Sequence, residues 1–141
     1  MKHFTETITL STDEHLKFID ITDRVRSTLA KSGITNGILN VYCNHTTASI
    51  KINEKCYRLQ KDMEKLLGAI APRGNEYQHN KDTVDGRENA HSHLMSLVLN
   101  ASESIPVAGG KLRIGEWQSV FFIELDGPRQ NREAFVSVIG E

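Results

Sequence analysis

The segment from Glu116 to Leu125 constrains the fold most, because its sequence EWQSVFFIEL predicts a strand with apolar side chains on both faces. Alternate residues of an extended chain point to opposite sides, so Trp117 and Phe121 share one face while Val120 and Phe122 share the other. A strand that is apolar on both faces is covered on both faces. We therefore predict a second layer or a neighbouring subunit on each side of this strand, with Trp117 in the core.

The other segments predict strands and helices in an order that does not alternate strand with helix. Strand patterns occupy residues 3–10, 16–21, 37–43, 48–52, 111–114 and 133–139, and helical patterns occupy a segment after Thr22, residues 54–71 and residues 88–100. The last helix is predicted to bury Ala90, Leu94, Leu97 and Val98. Residues 126–132 are predicted to join the last two strands as a hairpin. This order favours an α+β fold with a largely antiparallel sheet and about three helices.

Length and charge narrow the class of protein further. A chain of 141 residues suits one domain, 1–141, with a real core. The net charge of −1, from 17 basic and 18 acidic residues, provides no overall basic field, so we expect no nucleic-acid partner. No secretory leader and no bilayer-spanning apolar run is present in the sequence, so we expect a cytoplasmic location and no membrane partner.

Four of the six histidines, His45, His79, His91 and His93, lie within one stretch of the chain. Histidine is the commonest metal ligand and titrates near neutral pH, so the cluster indicates either a site or an ordinary solvated surface. On a helix His91 and His93 lie about 200° apart, so a single metal does not readily take both. We prefer His91 as the site residue because it can be half-buried, and His93 stays open as the alternative.

Polar residues around these histidines offer binding groups. Thr46 and Thr47 at a strand start can hold a phosphate with hydroxyl and backbone N–H groups, or can satisfy only their own backbone. The polar segment 72–87 is long for a loop inside a compact domain, which is often a sign of function, and it contains Asp82. Arg129 follows a turn and can present its guanidinium to a phosphate or carboxylate, or can belong to a plain loop.

Three motifs in this order carry a family resemblance: HTTASIKINE (45–54), HNKDTVDGRENAHSHL (79–94) and IPVAGGKLRIGEWQSVFFIELDGPR (105–129). With them the chain resembles the YjbQ-like family, also called the secondary thiamine-phosphate synthase family, nearly end to end. Glu116 departs from the Thr or Ser that relatives usually carry there. The resemblance implies a β-sandwich-like core with helices, a homotrimer, and a thiamine-phosphate synthase activity. That activity joins a hydroxymethylpyrimidine diphosphate to a thiazole phosphate and releases pyrophosphate.

The resemblance also implies a divalent metal, zinc or magnesium, bound by His45, His79 and His91. Glu54 is then a further ligand or an acid/base, and Asp82 is the second candidate for acid/base work. Such a metal would neutralise charge that develops on the leaving oxygens.

The phosphate or pyrophosphate of a small phosphorylated metabolite is expected at Arg129, together with Thr46 and Thr47. The alternative is a non-catalytic module that binds a metal or a phosphorylated metabolite as a sensor or carrier. An enzyme needs Glu54 or Asp82 within reach of the bound ligand, which separates the two functions. In a third possibility the histidines serve trimer contacts only.

Overall fold

Residues 1–74 and 76–141 are described by a computed structural model, in which eight strands and three α-helices form two antiparallel sheets with helices packed against them. The predicted α+β class with a largely antiparallel core and three helices is confirmed. In chain order the elements are β1 (Lys2–Thr12), β2 (Lys17–Asp20), α1 (Thr22–Ser32), β3 (Gly37–Cys43), β4 (Ala48–Glu54), α2 (Tyr57–Ile70), a short 3₁₀ helix (Gln78–Lys81), α3 (Ala90–Val98), β5 (Ser102–Ala108), β6 (Lys111–Leu112), β7 (Gln118–Glu124) and β8 (Arg129–Gly140).

The larger sheet has the strand order β1-β8-β3-β5-β6 and the smaller sheet the order β2-β7-β4. The longest ladder joins β1 to β8, from Lys2 opposite Gly140 to Thr12 opposite Arg129. Inward-facing side chains of both sheets form the main core together with α1. Its members include Ile8, Val25, Leu39, Ile50, Phe122 and Val136. Among the described residues, no helix is long and apolar enough to cross a membrane.

Strand β7 is covered on both faces by this same chain, as its pattern predicts. Val120 and Phe122 lie in the core between the sheets, whereas Phe121 and Ile123 pack in a second cluster with residues of α2 and α3. The prediction for Trp117 is wrong, since 70% of this residue is exposed. Trp117 precedes β7 in a turn that is closed by the hydrogen bond from the Gln118 N–H to the Gly115 carbonyl.

The predicted hairpin between the last two strands is also wrong. Both edges of β7 pair within the smaller sheet, with β2 and β4, whereas β8 lies between β1 and β3 in the larger sheet. The burial patterns explain the difference: residues 120–124 of β7 are buried without interruption, but β8 buries only alternate residues from Arg132 onward. Strand β7, which is covered on both faces, lies at the centre of the smaller sheet, and the segment after it crosses to the larger sheet.

The predicted apolar face of α3 is corrected by the structure. The buried residues are Ala90, His91, Ser92 and Met95, while Leu94, Leu97 and Val98 are exposed. The first turn of the helix packs on the segment that follows β7, where Ser92 Oγ donates a hydrogen bond of 2.5 Å to the Leu125 carbonyl. This tertiary contact, together with burial of His91, determines which face of the short helix is covered.

Candidate functional site

The candidate site forms where strands from the two sheets begin and end. Cys43, at the end of β3, pairs with Ala134 of β8, and Ala48, at the start of β4, pairs with Glu124 at the end of β7. The loop 44–47 therefore lies beside the segment that crosses between the sheets. The 3₁₀ helix and α3 are joined here as well, because the amide of Asn80 accepts a hydrogen bond of 3.1 Å from the Ala90 N–H.

A pocket of about 420 Å³ opens at this junction. Six of the eight predicted site residues line it, namely His45, Thr46, Thr47, His79, Asp82 and Arg129. The pocket also collects His93, Asn89 and Arg132, which the sequence did not single out as leading candidates. A separate cleft of about 720 Å³, lined by residues that include Arg73, Tyr77, Lys81 and Glu88, contains none of the predicted site residues.

A buried ion pair forms the floor of the site. Arg132 is 4% exposed, and its Nε donates 2.9 Å to the carboxylate of Glu124, which is fully buried. The same carboxylate accepts hydrogen bonds from the Thr12 hydroxyl at 2.6 Å and from two backbone N–H groups. Burial alone would raise the pKa of Glu124, but the hydrogen bonds from Arg132 and Thr12 outweigh burial and lower it. Glu124 is therefore a fixed anion that positions Arg132.

One end of the Arg132 guanidinium remains available to a ligand. Its Nε and Nη2 bond to Glu124 and Thr47, whereas Nη1 has no hydrogen bond to a described residue. Among residues 1–74 and 76–141, Nδ1 of His91 is the only side-chain nitrogen or oxygen that is both buried and without a hydrogen-bond partner. Since Nη1 of Arg132 also lacks a partner, it must be in contact with solvent. An arginine that is buried except for one donor nitrogen suits an anion.

A second network begins at Asp126, which is 4% exposed. Its carboxylate accepts 2.8 Å from the side-chain amide of Asn89 and 2.6 Å from Nη2 of Arg129. Asn89 Oδ1 in turn lies 3.1 Å from Nε2 of His79. Burial raises the pKa of Asp126, but the hydrogen bonds from Asn89 and Arg129 more than offset it and lower the pKa. The network holds His79 and Arg129 at the pocket.

His45 is held by a backbone contact. Its Nε2 accepts a hydrogen bond of 2.9 Å from the N–H of Glu133, at the start of β8. Burial and the positive charge of Arg132 lower the pKa of His45. A neutral ring is required here in any case, since a protonated Nε2 cannot accept a hydrogen bond.

The structure brings His93, rather than His91, to the pocket. The rings of His79 and His93 meet edge to face with centroids 4.7 Å apart, and burial and the charge of His79 lower the pKa of His93. His91 is 2% exposed and does not line the pocket, because its Nε2 lies 2.7 Å from Nε2 of His15 on the opposite side of the helix start. The expected preference for His91 therefore does not match the placement of these side chains.

Glu54 also lies outside the pocket. It ends β4 opposite Gln118, six residues beyond Ala48, which corresponds to roughly 20 Å along an extended strand. Helix α2 accordingly begins only at Tyr57, later than the periodicity predicted. Of the two acid/base candidates, only Asp82 lines the pocket.

The predicted metal ligands do not fit one ion. Nε2 of His45 is occupied by the Glu133 N–H, and His91 faces His15 instead of His45 and His79. Within the part of the chain that the structure describes, no group of three or more His, Cys, Asp or Glu side chains is arranged to hold a metal ion. The arrangement is better suited to binding an anion through arginine, histidine and threonine donors.

Known proteins are similar to this chain in sequence and in fold over almost its whole length. The sequence model of the family described as UPF0047 protein YjbQ-like matches residues 6–141. The chain belongs to this family. A UPF0047 protein of Methanothermobacter thermautotrophicus is 45% identical over 141 residues, covering 100% of this chain and 95% of the relative. YugU of Bacillus subtilis, also a UPF0047 protein, is 35% identical over 96% of this chain and 98% of its own length.

Solved structures agree with the family assignment. A YbjQ-like protein of unknown function from Sulfolobus solfataricus superposes with a TM-score of 0.93 at 38% identity, covering 99% of both chains. An uncharacterised YjbQ/UPF0047 protein from Clostridium acetobutylicum gives a TM-score of 0.86 at 36% identity, covering 95% of this chain and 99% of that one. The resemblance inferred from the motifs is thus confirmed for the family and for the fold.

Sequence reasoning missed the residues that position the site. Glu124, Asp126 and Arg132 lie close together in the chain, and Glu124 follows the apolar run 120–123 at the end of its strand. A carboxylate at such a position is almost never fully buried unless it is paired, so Glu124 indicated a buried cation nearby. No comparable signal pointed to Asn89, whose role depends on a contact across 37 residues.

Proposed function

We propose that this pocket binds a phosphorylated metabolite and promotes the departure of pyrophosphate. In the thiamine-phosphate synthase reaction that the resemblance implies, the C–O bond to the diphosphate of hydroxymethylpyrimidine diphosphate breaks. A C–N bond to the nitrogen of thiazole phosphate forms, and pyrophosphate leaves. The observation that carries the proposal is the buried Arg132, whose Nη1 remains accessible beside Arg129 and the loop 44–47.

The roles of the side chains follow from their hydrogen bonds. Negative charge grows on the leaving oxygens as the C–O bond breaks, and fixed cations aimed at that charge lower the barrier. Arg132 and Arg129 supply such cations, since each is held by a buried carboxylate and does not have to reorganise. Thr46 and Thr47 add hydroxyl donors, and Asp82 is the predicted acid/base residue that lines the pocket.

A synthase assay with matched arginine variants tests the proposal. Purified protein is given both substrates, with and without a chelator and with added magnesium or zinc, and thiamine phosphate is quantified. Arg129→Ala is expected to lower kcat/KM by about 10- to 1000-fold, as for other transition-state donors. Arg58→Ala, an exposed position on α2, is the control and is expected to match the wild type.

Two outcomes contradict the enzymatic proposal. Equal turnover by wild type and Arg129→Ala removes the pocket from the reaction. The second outcome is no turnover in any condition, together with pyrophosphate binding that calorimetry detects and that Arg129→Ala weakens. It favours the alternative of a binding module for a phosphorylated metabolite.

We also propose that the chain assembles as a homotrimer. The resemblance supports this assembly, and so do large apolar side chains left exposed on the described surface, among them Leu97 at 78%, Leu66 at 60% and Ile70 at 51%. Leu66 and Ile70 are neighbours one turn apart on α2, and exposed apolar patches are typical of association sites. Light scattering on the eluting protein is expected to give three times 15.8 kDa, and a mass of 15.8 kDa contradicts the trimer.

A further inference from the structure

We infer that the pocket holds two of its histidines in opposite tautomers, so that His45 offers a hydrogen-bond donor and His79 an acceptor to the bound molecule. The inference rests on the proposed function for the phosphorylated nature of the ligand, and it adds the second half of the ligand's chemistry. The ligand then carries an anionic phosphate and, apart from it, an N–H or O–H donor.

The tautomer of His45 is set by the main chain. The N–H of Glu133 can only donate, so Nε2 of His45 must present its lone pair, and the proton of the neutral ring lies on Nδ1. Nδ1 of His45 has no bond to a described residue and is not among the buried atoms that lack a partner, so an incoming group can reach it. His45 therefore carries an N–H at Nδ1, and its side chain lines the pocket together with Thr46 and Arg132.

The tautomer of His79 is set by a relay of side chains. Asp126, held as a carboxylate by Arg129, can only accept, so the Asn89 amide must turn its NH₂ group toward Asp126 and its oxygen toward His79. That oxygen accepts the proton of His79 Nε2, which leaves the lone pair of the neutral ring on Nδ1. His79 is an exposed residue that lines the pocket, and we infer that this lone pair is the acceptor it offers to the ligand.

The groups that line the pocket thus have different requirements. His45, Arg129 and Arg132 supply donors, which match phosphate oxygens. His79 supplies an acceptor, which matches an amino or hydroxyl group. Inorganic phosphate and pyrophosphate carry no amino or alcohol group for His79, whereas a phosphate ester with a hydroxyl or amino group provides for both. Asn89 and Asp126 are then positioning residues for this second contact.

Nuclear magnetic resonance decides the tautomers without any assay of activity. Protein labelled with ¹⁵N-histidine is examined at pH 8 by long-range ¹H–¹⁵N correlation, and His45→Gln and His79→Gln assign the two signals. We expect the Nδ1–H pattern for His45 and the Nε2–H pattern for His79. Asn89→Leu is expected to shift the His79 ring nitrogens, while Asn53→Leu, an exposed position on β4, leaves them unchanged. The same tautomer at both histidines overturns the inference.

Binding of two phosphate esters of similar size tests the ligand class. The probes are 2-hydroxyethyl phosphate, which has a hydroxyl donor, and propyl phosphate, which has a methyl group in its place. We expect wild type to bind the hydroxyl ester about 2- to 10-fold more tightly, the range of one hydrogen bond, and His79→Leu to lose this preference, measured as the ratio of the two affinities within each variant.

The possible failures can be told apart. Equal affinity of wild type for the two esters contradicts the acceptor role of His79, although phosphate binding and the proposed function would stand. The proposed function is contradicted if the protein binds neither inorganic phosphate, nor pyrophosphate, nor either ester. In that case the ¹⁵N resonance pattern still decides whether the two tautomers are opposite.

Discussion

Nε2 of His91 lies 2.7 Å from Nε2 of His15, and the two rings stack with centroids 5.0 Å apart. Nδ1 of His15 lies 3.2 Å from the Gly127 carbonyl, which can only accept, so Nδ1 carries the proton of the neutral His15 ring. Nε2 of His15 then accepts from Nε2–H of His91. The lone pair that this leaves on Nδ1 of His91 is the buried, unpartnered atom noted above. The pair joins the start of α3 to the segment between the sheets.

Protonation of this pair is expected to make stability depend on pH. Burial and the charge of His15 hold the pKa of His91 below its usual value of 6.5, so the unfolded chain binds the proton more readily than the folded chain. The stabilisation is fully present above pH 6.5 and is lost as the pH falls through the lower folded value, by at most about 1.4 kcal/mol per pH unit for one proton. Urea unfolding between pH 5 and 8 measures this slope.

Substitution isolates the contribution of His91. His91→Gln is expected to reduce the slope below pH 6.5, although His45 and His93 keep part of it because their pKa values are lowered as well. His3→Gln, at an exposed position on β1, is the control. An unchanged slope in His91→Gln would show that the His15–His91 contact does not determine the titration.

The ion pair between Glu124 and Arg132 gives a second, separable prediction. Glu124→Gln leaves the buried Arg132 without its anion, and we expect a loss of about 3–5 kcal/mol in the free energy of unfolding at pH 7. Because the pKa of Glu124 is lowered on folding, its contribution is present above the usual value of 4.5 and is lost as the pH falls further. The difference in the free energy of unfolding between wild type and Glu124→Gln should therefore become smaller as the pH falls below 4.5. Glu116→Gln, at an exposed turn, serves as the control, and a constant difference at pH 7 and pH 3 would contradict this account.

The placement of the histidines predicts which one matters for binding. His93→Ala removes a ring that lines the pocket and packs on His79, so we expect pyrophosphate affinity to fall several-fold. His91 lies outside the pocket, so His91→Ala is expected to lower the free energy of unfolding and to reduce pyrophosphate affinity less than His93→Ala does. Calorimetry with pyrophosphate, together with urea unfolding of both variants, checks the contrast. A larger loss of affinity in His91→Ala would restore the ligand predicted from the resemblance.

The sequence alone predicted the strands whose hydrophobic pattern reflects how many of their faces are buried. Alternation in β8 and continuous apolarity in β7 both follow from how many faces of a strand are covered, and the structure agrees with each. Periodicity does not show which strands pair, so the crossing between sheets was mistaken for a hairpin. Likewise the apolar stripe of α3 gave the wrong face, because two polar contacts, at His91 and Ser92, hold the other side against the core.

The candidate site was predictable to the extent that its residues follow strand ends. His45, Thr46 and Thr47 leave β3 and Arg129 begins β8, and neighbouring antiparallel strands bring such ends to one edge. Glu54 failed because it lies at the other end of β4, a distance that spacing along the chain does not reveal. The network through Asn89 and Asp126 depends on tertiary contacts alone and left no local pattern to find.

Gly127 provides the last prediction, because the segment between the sheets has no room for a side chain there. A Cβ at this position would lie 1.9 Å from the Glu14 carbonyl oxygen and 3.0 Å from Cγ of Glu124. Gly127→Ala must therefore displace the backbone beside Asp126, and we expect a loss of about 1–3 kcal/mol in the free energy of unfolding. Phosphate affinity should fall as well, since Arg129 is held by Asp126.

Gly68→Ala is the matched control for this prediction. Gly68 lies in α2 with no atom within 4 Å of the added Cβ, so the substitution should stabilise the protein by roughly 0.5–1 kcal/mol. Urea unfolding and phosphate calorimetry on both variants give the comparison, and equal stability of Gly127→Ala and wild type would show that the crossing segment can move without cost.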